Sequence, residues 1–216
     1  MPSKAKKNFD KNKGDVAQLW NLHEKAAGAG VGKKHGVEVL NRAAVIFVNA
    51  CWEAYVEDLA REAVKHIKTL PVSSLPGPTK AAIGIKYQSR KNPQDMWVLA
   101  DAGWKTVVDE HAEAVLTGFN TPRTKKVDAL FDELIGLSNL SSKWSWKGMS
   151  AANAAKKLDE YVTVRGRIVH RLKHDEMEAV YKSWGTDYLG HVERLVNASD
   201  EAVRKHLEGL LAQTPW

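Results

Sequence analysis

The chain has one cysteine, Cys51, and no long apolar run. A lone thiol cannot close an intramolecular disulfide or supply a thiolate metal cluster. A disulfide-stapled secreted scaffold and a zinc finger are therefore excluded, and a reducing, cytoplasmic home is expected. The longest purely apolar stretch, residues 43–48, is far too short to cross a bilayer. The N-terminus is charged but continues into Asn8, Phe9, Asp10 and Lys11, so no signal peptide is expected. Internal repeats and long low-complexity tracts are also missing. What remains is ordinary globular composition, 44% hydrophobic and 27% charged over 216 residues, which rules out fibrous, collagen-like and wholly disordered chains.

Motifs for several chemistries are likewise missing. The glycine-rich stretch at residues 28–36 is followed by lysine, but it lacks phosphate-loop spacing and no strand pattern precedes it, so it reads as a flexible loop. The serine-rich stretch at residues 138–150 contains no nucleophile elbow. None of His23, His35, His111, His191 and His206 pairs with Cys, Asp or Glu at metal-ligand spacing, so neither a metal nor another cofactor is expected.

The net charge of +6 and a pI near 9.3 suggest nucleic acid, but location matters more than the total. Lys4, Lys6, Lys7, Lys11 and Lys13 against Asp10 give the first 14 residues a charge of +4, leaving +2 for the rest. Residues 1–14 are therefore expected to be a basic, disordered tail that serves solubility or touches phosphates. Residues 15–216 are expected to form a single domain.

Within that domain, apolar residues recur at spacings of three and four, with Gly and Pro between the periodic segments. An all-α bundle of about six helices follows. The longest segment, residues 37–70, is apolar on every side around Val45, Ile46, Phe47 and Val48, as suits the centre of a bundle or a subunit contact. A shorter helix is expected over residues 15–27 with Asp15 as its N-cap. Others are expected near residues 104–119, 124–137, 151–172 and 187–212, while residues 71–95 are the least legible part.

Two polar features break the pattern. Asn49 and Glu53 lie four apart on one face of the central helix, directly after its all-apolar stretch. They either face solvent or a structural arginine, or they support a site. The second feature is Arg165, which falls on the apolar seam formed by Leu158, Tyr161, Val162, Ile168, Val169 and Leu172. An arginine there is either paired across the core or aimed into a cleft where its planar fork is used. His170 follows five residues later, which on a straight helix turns it about 140° away from Arg165. The two converge only through the arginine's length, a helix distortion or a second subunit. Gly166 removes a side chain beside them, and Arg167, Arg171 and Lys173 make this the densest basic patch outside the N-terminal residues. Trp144 and Trp146, between Lys143 and Lys147, either stack on unpaired bases or fill a gap between helices.

Three segments carry a family resemblance: Cys51-Trp52-Glu53-Ala54-Tyr55-Val56-Glu57 in the central helix, Asn120-Thr121-Pro122-Arg123 leading to Leu130-Phe131, and Val164-Arg165-Gly166-Arg167-Ile168-Val169-His170. In order and spacing the chain resembles the RiboL-PSP-type HEPN proteins of prokaryotic conflict systems over roughly residues 40–210. The resemblance implies a dimerising all-α bundle and a composite, metal-independent ribonuclease site built from an R-x4-6-H motif of each subunit. On this resemblance Arg165 and His170 are catalytic, Asn49 and Glu53 support them, and Arg167, Arg171 and Lys173 hold RNA. An antitoxin or another defence-system protein becomes an expected partner.

Arg61 and His66 repeat the R-x4-H spacing, and Arg167 and His174 give R-x6-H. The apolar pair Ile168-Val169 before the histidine matches the family pattern only for Arg165 and His170. Family members commonly carry a polar residue, often Asn, after the motif arginine, where this chain has Gly166. That departure keeps open a non-catalytic module that binds RNA or a protein.

Overall fold

The computed structural model describes residues 1–28, 36–88, 92–170 and 180–216. Among these, seven α-helices follow one another: α1 Lys4–Ala27, α2 Glu38–Ile67, α3 Gly77–Gln88, α4 Gly103–Thr117, α5 Thr124–Ile135, α6 Ala151–His170 and α7 Lys182–Leu211. Short 3-10 turns cover Val72–Ser74, Pro93–Leu99 and Leu140–Lys143. The described residues form no named strand; Trp146 and Met149 make one isolated antiparallel bridge. The fold is all-α, as the three-and-four spacing indicates.

α2 is the centre of the bundle and packs most extensively against α1 and α7. Its buried positions include Val45, Val48, Trp52, Tyr55, Val56 and Leu59. Trp52 fixes several layers at once. Its ring stacks on Tyr55 at 5.7 Å and meets Trp144 edge-on at 5.9 Å, and its Nε1 donates to the Pro122 carbonyl at 3.0 Å. Trp144 is fully buried and donates Nε1 to Ser199 Oγ at 2.8 Å, so the loop before α6 is pinned to α7. The indole and hydroxyl need these partners because a buried donor left unpaired costs about 1–3 kcal/mol.

The disordered tail expected over residues 1–14 is corrected, and so is the N-cap at Asp15. Ser3 caps α1, its Oγ accepting from the Lys6 amide at 3.0 Å, and Glu62 of α2 accepts the next free amides, Lys4 at 3.0 Å and Ala5 at 2.9 Å. Four N–H groups at a helix start lack intrahelical partners, and these oxygens satisfy three of them. Ser3 also donates to buried Asp200 of α7. Phe9, 2% exposed, meets Tyr55 edge-on. Asp15 sits exposed in mid-helix. Charge dominates the reading of this segment, yet Ala5, Phe9 and Val16 already mark a narrow buried stripe.

Two glycines matter for packing. An added Cβ at Gly185 would lie 2.5 Å from the Trp20 ring, so its absence lets α7 approach α1 and α2 closely. Gly136 ends α5 in the left-handed region at φ +70°, its N–H donating to the Asp132 carbonyl at 2.9 Å, as a C-terminal glycine does.

Candidate functional site

α6 brings its buried stripe, Ala154, Leu158, Tyr161, Val162 and Ile168, onto the core. Arg165 shares that stripe and is half-buried. Its Nε is fully buried and has no hydrogen-bond partner among the described residues. A buried N–H left unpaired is costly to hold, which makes Arg165 the most informative polar residue on the helix.

What faces it comes from α2, α7 and the loop before α5. Arg123 donates to the Asp159 carbonyl at 3.3 Å and to Thr163 Oγ1 at 2.9 Å, and the Thr124 amide donates to Asp159 Oδ1 at 2.9 Å. These bonds fasten residues 121–124 to α6, while Trp52 fastens them to α2. Half-buried Glu53 sits in the enclosure that results. Burial pushes its carboxyl above the usual carboxylate value, and the Arg165 charge is the strongest force pulling it back, aided by the Thr121 amide and Lys126. Glu57 adds to the rise.

Asn49, one turn before Glu53 and 1% exposed, accepts from the Tyr188 hydroxyl at 3.1 Å. The Tyr188 ring stacks on Tyr161 with centroids 4.2 Å apart, and its hydroxyl is held far above the usual tyrosine value, first by burial and then by Tyr161. The Arg165 charge works against that rise and Glu53 adds to it. Burial also lifts Tyr161 to about 12. Asn49, Glu53, Arg165 and Tyr188 therefore share one enclosure between α2, α6 and α7. Sequence periodicity missed Tyr188, because a tyrosine on an α7 apolar stripe reads as core and its hydroxyl leaves no periodic signal.

His170 ends α6 as an exposed residue, turned away from the stripe that carries Arg165. Arg167 is exposed as well. Arg171 and Lys173 lie outside the described residues. Beside Gly166 the described residues leave open space: an added Cβ meets none of their atoms within 4 Å. Near this end of the molecule large apolar side chains stay exposed, Phe47 at 43% on α2, Val169 at 39% next to His170, and Trp184 at 37% on α7.

Trp144 and Trp146 separate in role. Trp144 is core. Trp146 is half-buried, with the Arg194 guanidinium 5.8 Å over its ring and the His191 ring 5.5 Å away. Two other histidines are tied to main-chain carbonyls, His191 Nε2 to Ala154 at 3.0 Å and His206 Nε2 to Ile135 at 2.9 Å. Burial lowers His191 to about 4. No cluster of three metal-ligating side chains occurs among the described residues, and none of their helices is long and apolar enough to cross a membrane.

An all-α bundle is the fold of a HEPN domain, a class whose members are often ribonucleases, bind RNA and often dimerise. The family model described as RiboL-PSP-HEPN matches residues 11–205. The chain belongs to the RiboL-PSP-HEPN family. No curated protein and no solved structure matches it.

Proposed function

We propose that the protein is a homodimeric, metal-independent endoribonuclease acting as a toxin or defence effector in the cytoplasm. The observation that carries this reading is Arg165: a guanidinium on a packing stripe, its Nε buried without a partner among the described residues, its charge felt by a half-buried carboxylate, on the helix that ends in exposed His170. A structural arginine would have an ion-pair or hydrogen-bond partner. One reserved for an incoming phosphate has donors to spare.

The chemistry needs only proton transfer and charge stabilisation. His170 of one subunit takes the proton from a ribose 2′-OH. The 2′-oxygen attacks the adjacent phosphorus in line, and the P–O5′ bond breaks. His170 of the partner subunit gives a proton to the leaving 5′-oxygen. The products are a 2′,3′-cyclic phosphate and a 5′-OH end, with no metal or other cofactor in the balance. General acid–base catalysis of this kind contributes about 10²–10⁴-fold, and imidazole as a class exchanges protons near neutrality. Arg165 stabilises the charge that develops on the phosphorane oxygens. Glu53 orients Arg165, and Asn49 supports the enclosure through Tyr188. Arg167, Arg171 and Lys173 follow the RNA backbone. The apolar surface of Phe47, Val169 and Trp184 is where the second copy docks, which turns two helix ends toward one groove. A cognate antitoxin or another defence-system protein keeps the activity silent.

Gly166 favours a second reading, a non-catalytic module of the same fold that binds RNA or a protein, since no side chain follows the arginine to assist the histidine. One pair of variants separates the readings. For the nuclease, expression arrests growth and His170→Ala relieves it while the protein stays folded. For the module, both forms behave alike. Gly166→Asn enters open space and folds normally in either case, and only the nuclease reading predicts a faster cut.

A further inference from the structure

A second basic feature lies away from Arg165. The 3-10 turn at Leu140–Lys143, the loop after it and the C-terminal half of α7 enclose a groove of about 850 Å³, lined among others by Lys143, Trp146, Arg194, Asn197 and Lys205. Ten residues of helix, about 15 Å of rise, separate Tyr188 at the Arg165 enclosure from Ala198 in the groove wall. The volume falls in the range of small-ligand pockets, roughly 300–1,000 Å³.

The charges in the groove are unevenly committed. Its one acid, Glu201, is taken up by Arg204 at 2.9 Å and Lys205 at 3.2 Å. Lys143 and Arg194 are exposed and have no acidic partner among the described residues. Arg194 is nevertheless held in place, because its guanidinium lies over the Trp146 ring, and Trp146 is itself braced by His191. A guanidinium already ordered on an indole loses less rotamer freedom when it binds a phosphate. Ser142, Ser145 and Asn197 line the same wall and supply neutral hydrogen-bonding groups.

We propose that this groove is an RNA exosite, in which Lys143 and Arg194 hold phosphates of a single-stranded segment and the Trp146–Arg194 pair offers a flat face to a base. The inference rests on the RNA reading above and adds a footprint to it. A substrate reaching both the groove and Arg165 spans several nucleotides, so the exosite acts on long RNA and not on a dinucleotide.

The test uses the full chain carrying His170→Ala, with and without Lys143→Ala and Arg194→Ala, and a fluorescein-labelled single-stranded 12-nucleotide RNA followed by anisotropy at several salt concentrations. Both side chains are exposed, so circular dichroism and melting are expected to be unchanged. With the groove disarmed, Kd is expected to weaken about tenfold, and the slope of log K against log salt to become shallower by about 1.4, or about 0.7 per lost phosphate contact. With His170 restored, KM for long RNA rises while dinucleotide cleavage is unaltered. Unchanged Kd and slope, with RNA still bound, overturn the exosite and leave the nuclease reading standing. So does a loss seen equally with polyglutamate, or seen with a free nucleoside triphosphate but not with RNA. Failure of the parent protein to bind any RNA overturns the nuclease reading itself.

Discussion

Removing the Tyr188 hydroxyl tests whether the enclosure around Arg165 is a connected unit. Asn49 Oδ1 accepts from that hydroxyl at 3.1 Å in a place that water does not reach, Tyr188 being 0% and Asn49 1% exposed. Tyr188→Phe keeps the ring stack with Tyr161 but strands the amide oxygen, at a cost of about 1–3 kcal/mol. For a chain of this size each kcal/mol lowers Tm by about 2–4 °C, so a fall of about 2–12 °C is expected in a thermal melt. Asn49→Leu alone strands the hydroxyl and costs a comparable amount. The double variant removes both polar partners, leaves neither unsatisfied, and is expected to recover half or more of the summed loss. A double-variant cycle measured by chemical denaturation reads this coupling. Strict additivity would refute the reasoning, because it would mean that the two groups do not depend on each other.

Other outcomes follow from the same contacts. Glu53→Gln is expected to leave Tm within about 2 °C, since ionisation of this partly buried carboxyl is already disfavoured, but to lower the cleavage rate at least tenfold by loosening Arg165; unchanged cleavage removes Glu53 from the site. Gly185→Val drives a side chain into the Trp20 ring and should destabilise by about 1–3 kcal/mol, read as a lower urea midpoint. Phe9→Ala, in the segment that sequence alone assigns to a tail, should cost about 3–5 kcal/mol, whereas a disordered tail would show no change. His191 is held neutral to about pH 4 in the folded state, against an ordinary value of 6.5. The unfolded chain binds that proton first, so stability is lost as pH falls from about 6.5 toward 4. His191→Gln should flatten that part of the stability profile, and a profile of unchanged slope would contradict the burial argument.

The parts of the fold legible in the sequence are those where burial and helical period coincide. The expected segments at residues 37–70, 104–119, 124–137 and 151–172 stand as α2, α4, α5 and α6 within a few residues. The expectation for residues 187–212 found α7 but started it five residues late, at Asp187 and not Lys182, because Lys182 and Thr186 give its first turn little apolar character. α3 escaped notice because Pro71, Pro76, Gly77 and Pro78 read as a loop, although a proline in the first turn of a helix loses no hydrogen bond. The first turns of α1 were hidden by their lysines. At the site, Arg165 was legible because a charge on an apolar stripe violates the pattern, and Asn49 with Glu53 because they follow an all-apolar turn. Tyr188 and the Trp146 groove were not, since both depend on contacts between segments distant in the chain.

The central claim is that His170 and Arg165 cut RNA without a metal. The most direct measurement is analysis of the RNA ends left by purified protein in EDTA, alongside His170→Ala and Arg165→Ala forms of matching Tm. The account predicts 2′,3′-cyclic phosphate and 5′-OH ends from the unaltered protein and at least a hundredfold slower cleavage from either variant. Cleavage that persists at full rate in His170→Ala, or no cleavage by the unaltered protein of any RNA it binds, would contradict it.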